Sequence, residues 1–320
     1  MKTTSIPDGV WPTMITPFLE SGGIDYTALE KLVDWYVEGG VSGLFSVCQS
    51  SEMFLLSLRE RLDLARACVK FAHGRVPVIA SGHVADDPVD QVEEAKAMAE
   101  TGVAAIVLIA NRFARSHEGD ELWKRNLGHF LEAFPGSPLL GLYECPWPYK
   151  RILTPELMKF CADSGRFGFL KDTSCSMDSI RAKIDIAKGS GFKLFNANAA
   201  TLLDSLHAGG AGYSGVMTNF HADLYSWLCA NLDTEAPLAT ELADFLGLAS
   251  VIEYQLYPVN AMYALSLEGL PIHMASRRAE AARLNESMRI EVEQLMRLSK
   301  AWSSRLAGHG ATVIKKGAKS

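Results

Sequence analysis

Short runs of strand-forming residues alternate with helical segments along most of this 320-residue chain. Each run is largely apolar, and the segments between the runs repeat their apolar positions with helical period. Eight runs are predicted to be strands, at residues 10–15, 43–47, 76–81, 104–109, 139–143, 167–171, 193–196 and 212–217. They follow one another at intervals of roughly 30 residues, the length of a strand–helix unit. This alternation predicts an α/β fold built on a parallel sheet.

The number of strands separates two parallel-sheet architectures. A (β/α)8 TIM barrel has eight strands and a typical size of ~250 residues, whereas a doubly wound open sheet shares the alternation. The count of eight favours the barrel, with residues 1–232 as the catalytic barrel domain. Residues 233–320 then form a C-terminal helical appendage, which we expect to pack on the barrel or on a neighbouring subunit.

Several of the intervening helices carry start signals. Ser57 and Glu60 have the spacing of a capping box and open an amphipathic stretch that reaches about Ala72. In Asp87-Pro88 and Thr154-Pro155 a capping residue precedes a proline at the first helical position. These signals predict helices after the second, third and fifth strands.

Polar side chains stand at the ends of three predicted strands. In a TIM barrel, residues at the carboxyl ends of the strands line the active site. Period-two alternation places Phe167, Phe169 and Lys171 on one face of the sixth strand, with Lys171 at its upper end. Tyr143 has the same position on the fifth strand. The second strand ends in CQSSE, residues 48–52, a small turn whose backbone N–H groups and hydroxyls suit an anion.

The apolar neighbours of Lys171 have a chemical consequence. An ammonium group that loses its solvation has a lowered pKa, and the neutral amine can add to a ketone. The resulting Schiff base is an electron sink beside the carbon that must carry negative charge. The hydroxyl of Tyr143 could shuttle protons at that step. The residue pattern alone also leaves open a solvated lysine at the edge of a strand.

Composition argues against several other classes of function. The formal net charge is −6, and no basic cluster with interleaved aromatics suggests binding to nucleic acid. No apolar run approaches the ~20 residues of a membrane span, and the N-terminus lacks an apolar signal core. The six cysteines form no CxxC pair, and the eight histidines form no HxH or HExxH motif. We therefore expect a cytoplasmic protein without a metal site or cofactor and without a nucleic-acid or membrane partner.

Several motifs, taken in order, resemble the dihydrodipicolinate synthase / N-acetylneuraminate lyase family of class I aldolases. The likeness covers residues 10–278. Its elements are TPF at 16–18, Glu52 with LSLRER soon after it, YECP at 143–146, LKD at 170–172 and GGAGYSGVMTN ending in Asn219. The order and spacing of these elements carry the resemblance, which implies a TIM barrel and lyase chemistry through a lysine imine.

The resemblance implies roles for individual residues. Lys171 matches the imine-forming lysine of the family and Tyr143 its proton-shuttling tyrosine. Ser50 falls on the hydroxyl position that holds the carboxylate of the 2-oxo acid, and Ser51 replaces a glycine beside it. Ser214 falls where a backbone group faces the bound keto acid. All of them are predicted site residues.

Three positions depart from the pattern of the synthases in this family. Gln49, also a predicted substrate-binding residue, replaces the second hydroxyl of the strand-two turn. Residues 108–116 contain no tyrosine, although the synthases have one there that reaches a neighbouring subunit's site. Pro148 stands where the synthases have an arginine. Four cations are candidates for contacting the polar end of a different substrate: Arg112, Arg115, Lys150 and Arg151.

We predict a Schiff-base-forming lyase that acts on a 2-oxo acid such as pyruvate or its adduct. The same enamine serves carbon–carbon cleavage or condensation and loss of water from a hydroxylated 2-oxo acid, so a dehydratase or hydratase-aldolase stays open. A non-catalytic 2-oxo acid binder is an alternative from another class, although a binder needs no amine nucleophile. The resemblance also implies a homo-oligomer, either a tetramer or a dimer.

Overall fold

The computed structural model describes residues 6–136 and 138–308. Eight parallel strands form one sheet: β1 Gly9–Val10, β2 Leu44–Val47, β3 Val78–Ser81, β4 Ala105–Ile109, β5 Leu139–Tyr143, β6 Phe167–Asp172, β7 Lys193–Asn196 and β8 Gly212–Tyr213. Consecutive strands from β2 to β8 pair with each other, and β8 pairs with β1. A parallel bridge between Thr13 and Phe45 joins the segment after β1 to β2 and closes the ring. The predicted (β/α)8 barrel is confirmed.

Helices follow the strands in the order that a barrel requires. The barrel helices are α1 Tyr26–Glu38, α2 Leu58–Ala72, α3 Pro88–Ala99, α4 Asp120–Ala133, α5 Pro155–Asp163, α6 Met177–Ala187, α7 Leu202–His207 and α8 Thr218–Asn231. Beyond them lie α9 Ala236–Ala249, a 3-10 helix at Ser250–Tyr254, α10 Val259–Leu267 and α11 Glu286–Ala307. Both α10 and α11 pack against α8, which confirms the helical appendage. The domain boundary at residue 232 stays a prediction, and residues 309–320 of that region lie outside the described part.

The predicted helix starts form as the residue types require. The Ser57 side chain accepts from the N–H of Glu60, and the Glu60 carboxylate accepts from the N–H of Ser57 at 2.8 Å. This capping box opens α2, which ends at Ala72 as predicted. Asp87 and Thr154 cap α3 and α5, each followed by proline in the first turn. Local capping chemistry therefore sets where these three helices begin.

β2, β3 and β4 begin one or two residues later than the sequence pattern predicts, and β1 and β8 are shorter by about four residues. β1 covers only Gly9–Val10, because Pro12 has no N–H to donate and interrupts the ladder. β8 ends at Tyr213, because the chain then turns toward α8 and the N–H of Thr218 donates to the carbonyl of Gly215. Trp11, Met14 and Ile15 after β1 and Met217 after β8 are buried without being part of a strand.

Aromatic rings fill the barrel interior below the carboxyl ends of β5 and β6. The ring of Phe169 lies 6.2 Å from that of Phe195, centroid to centroid, in an edge-to-face contact. Gly141 of β5 leaves room for this packing, because a Cβ there would come within 2.2 Å of the Phe169 ring. Lys171, two residues after Phe169 on the same face of β6, consequently lies next to apolar side chains of the barrel interior.

Candidate active site

A cavity of about 480 Å³ lies at the carboxyl ends of the barrel strands. Four predicted site residues line it: Gln49, Ser50, Tyr143 and Lys171. Its other walls come from the loops after β5 to β8 and from the C-terminal region, through Pro146, Lys150, Thr173, Cys175, Ala197, Asn198, Gly215, Val216, Glu253, Tyr254, Leu256, Tyr257 and Arg278. The cavity therefore occupies the position where TIM barrels carry their active sites.

Tyr143 and Lys171 are brought together by the pairing of β5 with β6. They are register partners in the parallel ladder, and the Lys171 Nζ lies 4.5 Å from the centroid of the Tyr143 ring. An edge-to-face contact with Phe45 on β2 fixes the ring from another side. Both residues are only 4% exposed. Strand register, rather than loop conformation, thus sets the geometry of this pair.

Burial changes the protonation of Lys171. Desolvation lowers the pKa of its ammonium group to about 8, and nearby thiols and carboxylates only partly oppose this shift. At pH 7 about a tenth of such a lysine is neutral, compared with well under a thousandth at the ordinary pKa. Within residues 6–136 and 138–308 its Nζ has no ion-pair partner. The geometry therefore favours a nucleophilic amine over a solvated lysine.

Burial has the opposite effect on Tyr143. Desolvation raises the pKa of its hydroxyl well above the ordinary value, and the neighbouring Cys145 thiol raises it further. The phenol therefore stays protonated at neutral pH and is available as a hydrogen-bond donor or general acid.

The residues of the strand-two turn have different orientations. Ser50 lines the cavity and is 6% exposed, and the Gln49 Oε1 atom beside it accepts from the Cys145 thiol. Ser51 instead bonds to its own turn: its hydroxyl donates to the Cys48 carbonyl at 2.7 Å and accepts from the Cys48 N–H at 2.9 Å. The structure thus places Ser50 and Gln49 at the cavity, while the Ser51 side chain shapes the turn.

Ser214 lies below the lysine. Its N–H donates to the Asn196 carbonyl at 2.8 Å, as the chain leaves β8. With Lys171, Phe169 and Phe195 it borders a small void in the barrel interior rather than the main cavity. It is therefore close to the lysine but separated from the lining of the 480 Å³ cavity.

The four candidate cations lie in different places. Lys150 lines the cavity, and its Nζ donates to the Thr173 carbonyl at 2.8 Å. Arg112 pairs with Asp86, and Arg151 pairs with Asp120 at 2.8 Å. Arg112 and Arg115 border a larger cavity of about 890 Å³ beside α3 and α4, which does not include the lysine. Of the four, only Lys150 is placed to meet a ligand of Lys171.

The C-terminal region contributes a wall of the cavity that the sequence pattern does not predict. Glu253, Tyr257 and Arg278 line the cavity although they follow the barrel by many residues. Asn219, the last residue of a family motif, supports this wall because its Nδ2 donates to the Tyr257 hydroxyl at 3.1 Å. The rule that strand ends line the site gives no information about helices beyond the barrel. The Asn219 motif was the one sequence signal near this contact.

A buried ion triad lies directly behind the Tyr143–Lys171 pair. The Lys183 Nζ of α6 is 2.5 Å from Glu144 Oε1 and 2.5 Å from Asp172 Oδ2. Glu144 and Asp172 each follow one member of the pair in sequence. Burial, followed by repulsion from Asp172, raises the pKa of Glu144 to about 7. The triad ties the ends of β5 and β6 to α6.

Among the residues that the structure describes, no three His, Cys, Asp or Glu side chains are grouped so that they could hold a metal ion. Across the same residues, no helix has the length and apolar character needed to cross a bilayer.

A buried lysine of lowered pKa beside a tyrosine, at the carboxyl end of a (β/α)8 barrel, defines the Schiff-base class of aldolases and lyases. The comparison with known families agrees. The Dihydrodipicolinate synthetase family model matches residues 7–298, and the chain belongs to this family. It is an enzyme of the class I aldolase type, a Schiff-base-forming lyase.

The individual relatives are distant. A 4-hydroxy-tetrahydrodipicolinate synthase of Saccharophagus degradans is 27% identical over 295 residues, which cover 90% of this chain and 97% of the relative. A chloride-inhibited dihydrodipicolinate synthase of Acinetobacter baumannii, solved with pyruvate, has a TM-score of 0.81 at 22% identity and covers 92% and 99% of the two chains. A monomeric dihydrodipicolinate synthase variant has a TM-score of 0.84 at 19% identity and covers 94% and 99%.

Proposed function

We propose that Lys171 forms an imine with the C2 carbonyl of a 2-oxo acid bound in the 480 Å³ cavity. The buried, apolar setting of Lys171, which lowers its pKa to about 8, carries this proposal. The neutral amine adds to the carbonyl, and the protonated Tyr143 donates to the oxygen that leaves the carbinolamine as water. Ser50 and the backbone N–H groups of its turn hold the substrate carboxylate. Loss of a C3 proton then gives the enamine.

The synthases of the family condense pyruvate with an aldehyde carried by an amino acid. The substrate of this enzyme is a different 2-oxo acid. Gln49 occupies the position of a relay hydroxyl, and its amide cannot pass a proton as an alcohol does. Residues 108–116 contain no tyrosine, and Pro148 stands at the arginine position. We therefore propose a hydroxylated or aryl-substituted 2-oxo acid, cleaved or dehydrated through the same enamine.

We propose that the enzyme is a cytoplasmic homo-oligomer, most simply a tetramer. The six cysteines are all unpaired, which suits a reducing compartment. Apolar side chains on the C-terminal helices, Leu248, Val251 and Tyr254, are 78%, 62% and 82% exposed and suit an interface between copies.

Borohydride reduction in the presence of pyruvate tests the imine. The protein should gain one reduced adduct, mapped by mass spectrometry to the peptide that contains Lys171 and absent from Lys171→Ala. Lys150→Ala is the matched control, because it removes another lysine from the same cavity and should still be labelled. Lys171→Arg should not be labelled, because a guanidinium stays protonated. An adduct on a different lysine would refute the role of Lys171, and the absence of an adduct with any 2-oxo acid would refute the imine mechanism.

The substrate proposal has a separate test. Purified enzyme is assayed with pyruvate and aspartate semialdehyde, the substrates of the synthase reaction. We expect negligible turnover, since three relay and recognition groups are replaced. Turnover above ~1 s⁻¹, an ordinary enzyme rate, would show that those groups are dispensable.

A further inference from the structure

Glu144 follows Tyr143 in sequence, but its buried side chain contacts two loops rather than the site itself. Its Oε1 atom accepts from the Leu153 N–H at 2.9 Å and from the Lys183 Nζ at 2.5 Å. Its Oε2 atom accepts from the Thr173 N–H at 2.9 Å. Leu153 belongs to the loop between β5 and α5, and Thr173 to the loop between β6 and α6. One carboxylate therefore joins these two loops to α6.

The same two loops form one side of the 480 Å³ cavity. The β5–α5 loop contributes Pro146 and Lys150, and the β6–α6 loop contributes Thr173 and Cys175. The loops also contact each other, because the Lys150 Nζ donates to the Thr173 carbonyl at 2.8 Å. The Thr173 hydroxyl donates to the Glu144 carbonyl at 2.6 Å. The shape of this wall thus depends on the contacts that lie behind it.

Lys183 provides the charge that an ionised carboxylate needs in the barrel interior. Glu144 and Asp172 are both 0% exposed, and each has an oxygen 2.5 Å from the Lys183 Nζ. An ionised carboxylate accepts on both oxygens, whereas a protonated acid uses one of them as a donor. Asp172 adds to the same arrangement, because its Oδ1 atom accepts from the N–H and the hydroxyl of Ser174 at 2.9 and 2.7 Å. The buried cation therefore maintains acceptors for the N–H groups of both loops.

The reacting pair is held by different contacts. Tyr143 and Lys171 are fixed by the strand ladder, and the Tyr143 ring also packs edge to face on Phe45. Release of the two loops should consequently disturb the cavity wall more than the reacting atoms. A protein that spends less time in its binding arrangement has a proportionally higher apparent dissociation constant.

We propose that Glu144 is a positioning residue that holds the β5–α5 and β6–α6 loops in the arrangement that binds the 2-oxo acid. It acts through the N–H groups of Leu153 and Thr173, with Lys183 as its buried counterion. The effect on binding rests on the proposed imine at Lys171, whereas the effect on the loops can be measured without a ligand.

Glu144→Gln tests this role without leaving a buried charge unpaired. An amide has a single acceptor oxygen, so it can accept from the Leu153 side or from the Thr173 side but not from both. Its NH2 group then faces a donor at the other position. Lys183 keeps Asp172 as its partner, and the variant should therefore fold.

Two measurements at pH 8, above the raised pKa of Glu144 of about 7, report the outcome. Exchange of the pyruvate methyl hydrogens in D2O, followed by NMR over a range of concentrations, gives the half-saturating pyruvate concentration and the limiting rate. We expect that concentration to rise ~10-fold or more and the limiting rate to stay within about 3-fold of wild type, as for loops that hold the binding arrangement about a tenth of the time. Backbone amide exchange without ligand, read by mass spectrometry, should lose protection in the peptides of the two loops and keep it in β2 and β3.

Glu94→Gln is the matched control. Glu94 also pairs with a buried cation, Arg61, at 2.6 Å, and it accepts from two loop N–H groups, those of Val84 and Ala85. Its loop follows β3 and borders the other cavity, of about 890 Å³, through Asp86. This variant should lower stability and keep the wild-type half-saturating concentration of pyruvate.

The outcomes separate this inference from the proposed function. Wild type that neither exchanges the methyl hydrogens of pyruvate nor forms a borohydride adduct would refute the imine, and the amide exchange of the loops would still test the role of Glu144. A Glu144→Gln variant with the wild-type half-saturating concentration, or with unchanged loop protection, would refute the positioning role alone. So would a variant that does not fold, or one whose limiting rate falls at an unchanged half-saturating concentration, because Glu144 would then support the barrel or the reacting pair rather than the loops.

Discussion

Replacing Lys183 by methionine should destabilise the protein strongly, and more so at higher pH. The Lys183, Glu144 and Asp172 side chains are 1%, 0% and 0% exposed. Both carboxylate oxygens lie 2.5 Å from one nitrogen, so they are at most about 5 Å from each other. Lys183→Met keeps most of the side-chain volume but leaves two buried carboxylates without a cation.

The size of the effect follows from the loss of that cation. Breaking a buried ion pair by removing one partner costs about 3–5 kcal/mol of unfolding free energy. Burial and Asp172 already raise the pKa of Glu144 to about 7 while Lys183 opposes them, so the variant raises this pKa further. A carboxyl whose pKa is raised in the folded state contributes stability at low pH and loses it as pH rises through that pKa. The difference between variant and wild type should therefore be largest near pH 8 and shrink toward pH 5.

Urea unfolding at pH 5, 6, 7 and 8, at one fixed protein concentration, measures the loss of unfolding free energy in Lys183→Met and its pH dependence. Lys159→Met is the matched control, because its side chain is 69% exposed and its pair with Asp163 is on the surface. Adding Glu144→Gln to Lys183→Met should restore at least half of the loss. A Lys183→Met variant within about 1 kcal/mol of wild type at pH 8, or an equal loss at pH 5 and pH 8, would refute this reasoning.

Three further predictions concern the proposed site and assembly. Tyr143→Phe should keep the fold and slow adduct formation and turnover by ~10²-fold or more, and wild-type kinetics would assign Tyr143 to packing. The rate of adduct formation with pyruvate should rise with pH and level off above about 8, because Lys171 is neutral there, and a flat profile would contradict this. Light scattering at micromolar concentration should give a multiple of the 34.9 kDa chain mass, and a mass near one chain would exclude the oligomer.

Local sequence signals were sufficient to predict features that depend on a single segment of the chain. Alternating apolar runs predicted eight strands, and β5 and β7 have the predicted bounds. The capping box at Ser57 predicted the start of α2, because its hydrogen bonds join residues three apart. Period-two alternation then placed Lys171 and Tyr143 at the upper ends of neighbouring strands, where the structure finds them.

Tertiary structure decided the features that depend on residues far apart in sequence. The early ends of β1 and β8 and the orientation of the Ser51 side chain are different, because Pro12 and hydrogen bonds within local turns set them. Packing of the C-terminal helices brought Glu253 to the lysine, although no pattern near residue 253 indicates this.

The buried triad behind the Tyr143–Lys171 pair shows most clearly why such features could not be predicted from the sequence. Glu144 and Asp172 belong to the YECP and LKD elements, but no pattern in the sequence indicates that they meet each other or Lys183. In the fold they share one buried contact, and their protonation depends on distances that only the assembled barrel sets. Sequence thus determined the strands, the helix starts and the lysine–tyrosine pair, through periodicities and hydrogen bonds a few residues long. The cavity wall, the buried charges and the pKa values belong to contacts between distant segments.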